Sequence, residues 1–213
     1  MDNEPKHYYD IEIDMDAALL ENGMLDELFY LKDLRQRKLF LNTDINQYSV
    51  QEFVKHILQI NRVDFGIDPD KRLPILLYVN SNGGDVDAGF ALIDAIQNSK
   101  TPVYTVNLGF QYSMGFLIGI AGHKRFATKN AKFLMHDGSN FIYNSGAKAQ
   151  DQMEFHKKVE ARVKDYILAM SNLAEEEYDK NLRVEWYMFA DEAKQKGFVD
   201  MIIGEDCDID AIV

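Results

Sequence analysis

The apolar run Pro74–Asn80 stops at Ser81-Asn82-Gly83-Gly84. A strand with one wet face alternates polar and apolar residues. One that is apolar throughout is buried on both faces, as strands of parallel sheets are. The two glycines mark a tight turn, and helical spacing follows from about Asp85 to Gln97. The pattern then repeats, with a strand at Val103–Asn107 and an apolar helix through Phe116-Leu117-Ile118-Gly119-Ile120-Ala121. Such alternation predicts an α/β fold built on a mostly parallel sheet.

The rest of the chain fits around that pattern. Residues 1–14 read as a loosely ordered segment, and 15–204 as one domain. Within it we expect a helix over Met15–Gln36, interrupted near Gly23, then a strand at Lys38–Asn42 and a helix over Val50–Ile60 opened by Ser49. Arg62–Arg72 reads as a charged loop. After the basic turn His123-Lys124-Arg125 come short strands, the second at Lys132–Met135. A long helix is expected over 147–173, shorter ones at Glu175–Leu182 and Asp191–Lys196, and a last strand at Phe198–Ile203. Residues 205–213 form an acidic tail.

Composition removes several function classes. A net charge of −12 opposes nucleic-acid binding, which needs cations to neutralise phosphate. Cys207 is the one cysteine, so no internal disulfide can form and a reducing compartment is expected. The five histidines are scattered and none has HExxH spacing, so neither metal nor cofactor is expected. The N-terminus carries no apolar leader, and Gly115–Gly122 is too short to span a bilayer. The expectation is a soluble, acidic, cytoplasmic protein that meets no membrane.

Three segments carry chemistry. Ser113, in Tyr112-Ser113-Met114-Gly115, stands at the predicted start of the apolar helix, where unpaired amides and the positive helix end converge. A serine there is placed to act as a nucleophile. Gly83-Gly84 lets a ligand approach backbone N–H groups closely, so one of its amides and that of Met114 could hold an oxyanion. His136 leaves an apolar strand where a loop begins, a usual place for a base. For a carboxylate to orient the imidazole the candidates are Asp137, Asp179, Glu185 and Asp191. Taken singly, an ordinary tight turn, a small packing residue and a structural histidine account for these signals; their order points to a serine peptidase.

These residues resemble a family, the proteolytic subunit of the Clp protease, a crotonase-like serine peptidase. Leu77-Tyr78-Val79-Asn80-Ser81-Asn82-Gly83-Gly84 is similar to its LYINSPGG, with Asn82 in place of proline. Tyr112-Ser113-Met114-Gly115 is similar to ASMG, and Ala190-Asp191-Glu192-Ala193-Lys194-Gln195-Lys196-Gly197-Phe198-Val199-Asp200 to AEEAKEYGLID. Ala121–Ala127 and Asn130–His136 resemble the turn and strand that deliver the base. The likeness runs from about Leu73 to Ile203, and residues 1–37 match poorly. It implies repeated β-β-α units with a long protruding helix at 147–173. Ser113 would be the nucleophile, His136 the base, and the amides of Gly83 and Met114 the oxyanion hole. The family's Arg-Asp pair falls on Val184 and Glu185, so Glu185 would complete the triad with one methylene more than aspartate. The resemblance further implies self-association into stacked rings, unfolded polypeptide substrates and an AAA+ unfoldase partner. Its rivals are a silent subunit of a mixed ring, an unfoldase-independent phage-type or signal-peptide-peptidase-like relative, and a crotonase-type acyl-CoA enzyme.

Overall fold

The computed structural model describes residues 20–138 and 144–212; the expected loose segment at 1–14 lies outside them. The chain opens with α1 (Leu25–Arg35), β1 (Lys38–Leu41), α2 (Gln47–Val63), β2 (Ile75–Val79) and α3 (Val86–Gln97). It continues through β3 (Val103–Asn107), β4 (Phe110–Tyr112), α4 (Met114–Gly119), β5 (Lys124–Thr128) and β6 (Lys132–Met135). The last elements are α5 (Gly146–Ala169), α6 (Glu175–Asn181), β7 (Trp186–Phe189), α7 (Ala190–Gln195) and β8 (Met201–Ile203).

The parallel sheet is present. Its order is β1-β2-β3-β5-β8, and every neighbouring pair runs parallel. All five residues of β2 are buried because each face is covered by something different. Ile75, Leu77 and Val79 point into the main core with Ile57, Ile60, Leu92 and Ile96 from α2 and α3. Leu76 and Tyr78 face the other way, into a smaller cluster with Val106, Phe126 and Ile212. Phe40 stacks on Tyr78 there with ring centroids 4.5 Å apart. The Tyr78 hydroxyl donates to the Ile212 carbonyl. The acidic tail thus includes a helical turn, Ile209–Ile212, docked on the outer face of the sheet.

A second sheet, β4-β6-β7, stands beside the first; β4 and β6 are parallel, β6 and β7 antiparallel. Its strands β4 and β7 were not expected from the sequence. Other differences are local. The helix expected over Met15–Gln36 lies outside the described residues as far as 19; Leu20 and Glu21 are helical, a turn at Gly23 interrupts it as expected, and α1 follows from Leu25. α2 opens at Asn46 rather than Ser49: the Asn46 side chain accepts from the Tyr48 and Ser49 amides while Ser49 Oγ accepts from the Asn46 amide. The long helix spans Gly146–Ala169, four residues short of the expected Leu173.

Buried polar groups brace the large sheet. Arg37, just before β1, makes a bidentate ion pair with Asp64 at the end of α2, 2.7 and 2.8 Å. Thr101, ahead of β3, donates to the same carboxylate at 2.7 Å. Burial alone would push the Asp64 carboxyl up, but the bonds from Arg37 and Thr101 win and hold it below the usual value.

Candidate active site

Ser113 joins β4 to α4 at φ 53° and ψ −121°, a left-handed conformation that a side chain adopts at a cost of about 1–3 kcal/mol. The surroundings enforce it. The Ser113 amide donates to Leu134 of β6 at 2.9 Å, and the amides of Phe116 and Leu117 both donate to its carbonyl. Just before it, Tyr112 donates to the Ser81 carbonyl at 2.9 Å. A sharp turn between strand and helix lifts the hydroxyl clear of the backbone.

The glycine turn lies directly against this bend. A Cβ on Gly83 would sit 2.8 Å from the Ser113 Cβ and 2.9 Å from the Met114 amide nitrogen. One on Gly84 would fall 2.1 Å from the Ile45 carbonyl oxygen. Both glycines have positive φ, 105° and 146°. The turn therefore excludes side chains so that two backbone segments can touch.

His136 follows β6 and is half-buried. Its Nε2 lies 2.8 Å from Ser113 Oγ. With the hydroxyl donating, the ring proton is on Nδ1. That is the one hydrogen bond of the His136 ring among the described residues.

The two oxyanion candidates differ in their backbones. Met114 is the first residue of α4, whose N-cap makes no side-chain bond, so its amide is one of the unpaired helix-start donors. The Gly83 amide, by contrast, donates to Ser81 Oγ at 3.1 Å and is buried. Gly84 is exposed and lines the same cleft as Ser113 and Met114.

Glu185 lies one residue before β7 with its carboxylate accepting from the Tyr187 hydroxyl at 3.0 Å. That bond pushes the Tyr187 hydroxyl above its ordinary pKa. The β6–β7 ladder ends with Met135 opposite Trp186, next to His136 and Glu185, and its register is not continued beyond them, since the Asp137 amide donates to Leu182 rather than to Val184. The other carboxylates stand elsewhere. Asp179 is paired with Lys164 at 2.6 Å. Asp191 lies in the first turn of α7. Asp137 borders the cleft, its amide donating to the Leu182 carbonyl at 2.9 Å.

The cleft above Ser113 has a volume of about 620 Å³ and reaches across to α5. Phe116, Leu117 and Met135 form its near side and Val159, Val163 and Ile167 its far one. Tyr166 fastens α5 there by donating to the Leu117 carbonyl at 2.9 Å; burial raises its pKa strongly. A wider cleft of about 840 Å³ lies around His123, Arg125 and Lys194 and contains neither Ser113 nor His136. Its cations are spent, Arg125 on Asp200 and Lys194 on Asp206. Among the described residues no cluster could hold a metal ion, and no helix is long and apolar enough to cross a membrane.

A mostly parallel α/β frame that brings a serine on a strained turn to a histidine from a second sheet defines a hydrolase-like class. The family model of Clp protease matches residues 24–206, and the chain belongs to that family, one of peptidases. A similar relative is ATP-dependent Clp protease proteolytic subunit 2 of Treponema pallidum (strain Nichols). It is 25% identical over 186 residues, covering 86% of this chain and 90% of the relative.

Proposed function

We propose that this chain is a serine endopeptidase that cleaves unfolded polypeptides through an acyl-enzyme on Ser113. The observation that carries the reading is the 2.8 Å approach of His136 Nε2 to Ser113 Oγ at a strained turn. Oγ attacks the scissile carbonyl carbon as Nε2 takes its proton. The oxyanion is held by the amides of Met114 and Gly83, the Gly83 turn packing directly against the Met114 amide nitrogen. Collapse expels the amine, which leaves with the proton from His136. Water then attacks the ester, losing a proton to the same nitrogen, and frees the acid and Ser113. Glu185, which stands where the family has its triad aspartate and lies at the same end of the β6–β7 ladder as His136, is the carboxylate for the imidazolium.

Membership of the family supports assembly into stacked rings enclosing the sites and delivery of substrate by an AAA+ unfoldase. Along α5, Ile167 is the buried residue, while Met153 is 55% and Phe155 65% exposed, as a helix waiting for a partner copy would be. The single cysteine suits a cytoplasmic setting. The Glu185–Tyr187 bond favours a second reading, a silent subunit of a mixed ring.

Intact mass after treatment with a fluorophosphonate separates the two. One adduct on the native chain and none on Ser113→Ala is expected. No adduct on a correctly assembled native protein would establish the silent subunit.

A further inference from the structure

The bond between Glu185 and Tyr187 connects to the catalytic pair through the small sheet. Met135 and Trp186 are the last directly opposed pair of β6 and β7, so His136, which follows the one, and Glu185, which precedes the other, both lie at that end of the ladder. Tyr187, two residues after Glu185, is the side chain that bonds it. Its hydroxyl holds the carboxylate at 3.0 Å, while His136 bonds only Ser113 among the described residues. The Tyr187 ring meets Tyr112, the residue before the nucleophile, edge to face with centroids 5.8 Å apart at 90°.

Resting on the reading of Ser113, His136 and Glu185 as a triad, we propose that Tyr187 is a positioning residue that draws the Glu185 carboxylate away from His136 and so restrains the enzyme. A glutamate suits this arrangement: its longer arm serves either of two groups, Tyr187 just after it or His136 at the same end of the ladder. A phenol donating to a carboxylate is charge-assisted. Yet Tyr187 is 55% exposed, so water competes and the restraint is weak enough to be released. Once released, the carboxylate accepts from Nδ1–H and favours the imidazolium that forms as Ser113 attacks. The charged groups that share the cleft with His136 are Asp137, Lys157, Glu160, Lys164 and Arg183. Lys164 is committed to Glu175 and Asp179.

The test is the rate of fluorophosphonate labelling at Ser113, against pH, for the assembled full chain. Tyr187→Phe keeps the ring edge on Tyr112 and removes only the hydroxyl. Labelling near neutral pH is expected to quicken about three- to tenfold, the range of one solvent-exposed hydrogen bond. The acid limb of the profile should move to higher pH, because a carboxylate on Nδ1–H lets His136 hold its proton longer. Glu185→Gln should cancel the gain, and Glu185→Asp, too short to keep the Tyr187 bond, should reproduce it. Equal or slower labelling of Tyr187→Phe, or a gain that survives Glu185→Gln, overturns the proposal while leaving Ser113 the nucleophile. No label on Ser113 in any of these proteins overturns the peptidase reading itself, and this proposal with it.

Discussion

The two sides of the proposed catalytic pair are built differently. On the nucleophile side, Ser113 is held at an unfavourable φ by three backbone hydrogen bonds and by a glycine turn packed within van der Waals contact. Behind it stands a sheet covered on both faces and braced by a buried ion pair between Arg37 and Asp64, 3% and 1% exposed. On the carboxylate side, Glu185 and Tyr187 are both exposed, the one just before and the other on the edge strand of a small sheet. The buried side fixes where the serine is; on the proposed mechanism, the exposed side decides how well its base is supported. Strain persists only where the surroundings over-determine it, whereas a solvated carboxylate chooses between partners at small cost.

That contrast should break most sharply at the nucleophile. Ser113→Ala is expected to lower peptide hydrolysis by about 10⁵- to 10⁶-fold, the usual loss when a serine nucleophile is removed, with assembly intact. Hydrolysis kinetics beside a sizing measurement checks both halves. Residual activity within about tenfold of native would place the chemistry elsewhere.

Next comes the brace of the large sheet. Asp64→Asn leaves the buried Arg37 without its counter-charge and should cost about 3–5 kcal/mol in denaturant unfolding. The Asp64 carboxyl is held low in the folded protein, so its contribution is present above the unfolded carboxyl value of about 4. It fades as pH falls through the lower folded value. Native stability should therefore drop on acidification below about pH 4, and the variant should lose that part of the slope.

Gly83→Ala forces a methyl to 2.8 Å from Ser113 Cβ at a φ of 105°. We expect about 2–3 kcal/mol of destabilisation and roughly 100-fold slower labelling, since small displacements in such sites are costly. Asn82→Ala, one residue earlier and exposed, should change stability by less than about 0.5 kcal/mol. Equal effects at the two positions would remove the argument that the turn supports the serine.

How much of this was legible in the sequence follows the same division. A strand covered on both faces is written as a continuous apolar run, which is why β2 and β3 were found at nearly their observed bounds. Ser113 and His136 stood out because strand-to-helix turns and strand ends are where parallel sheets gather sites. Of the small sheet, β6 was legible, expected and found at Lys132–Met135, but its two partners were not. β4 has three residues, too few for a period, and β7 reads Trp-Tyr-Met-Phe, apolar at every position although Tyr187 and Phe189 face solvent. Its pairing with β6 is a long-range choice that no local pattern encodes. The Tyr187 bond to Glu185 was hidden for the same reason.

The smallest expected effect is the one that sharpens the comparison. A carboxylate fully engaged with its histidine is worth about 10⁴-fold when replaced by an amide. If Glu185 spends much of its time on Tyr187, then Glu185→Gln should cost only about tenfold in kcat/KM, because the native enzyme already works with a poorly supported base. The loss should be greatest where His136 must stay protonated as imidazolium in the transition state, and KM should hardly move, since Glu185 lies outside the cleft lining. Steady-state kinetics on a peptide over pH 6–9 reads both quantities. A loss near 10⁴-fold would mean that Glu185 rests on His136 for most of the time. The carboxylate side would then be as firmly built as the nucleophile side. A change in KM with kcat preserved would instead move Glu185 from supporting the base to binding the chain.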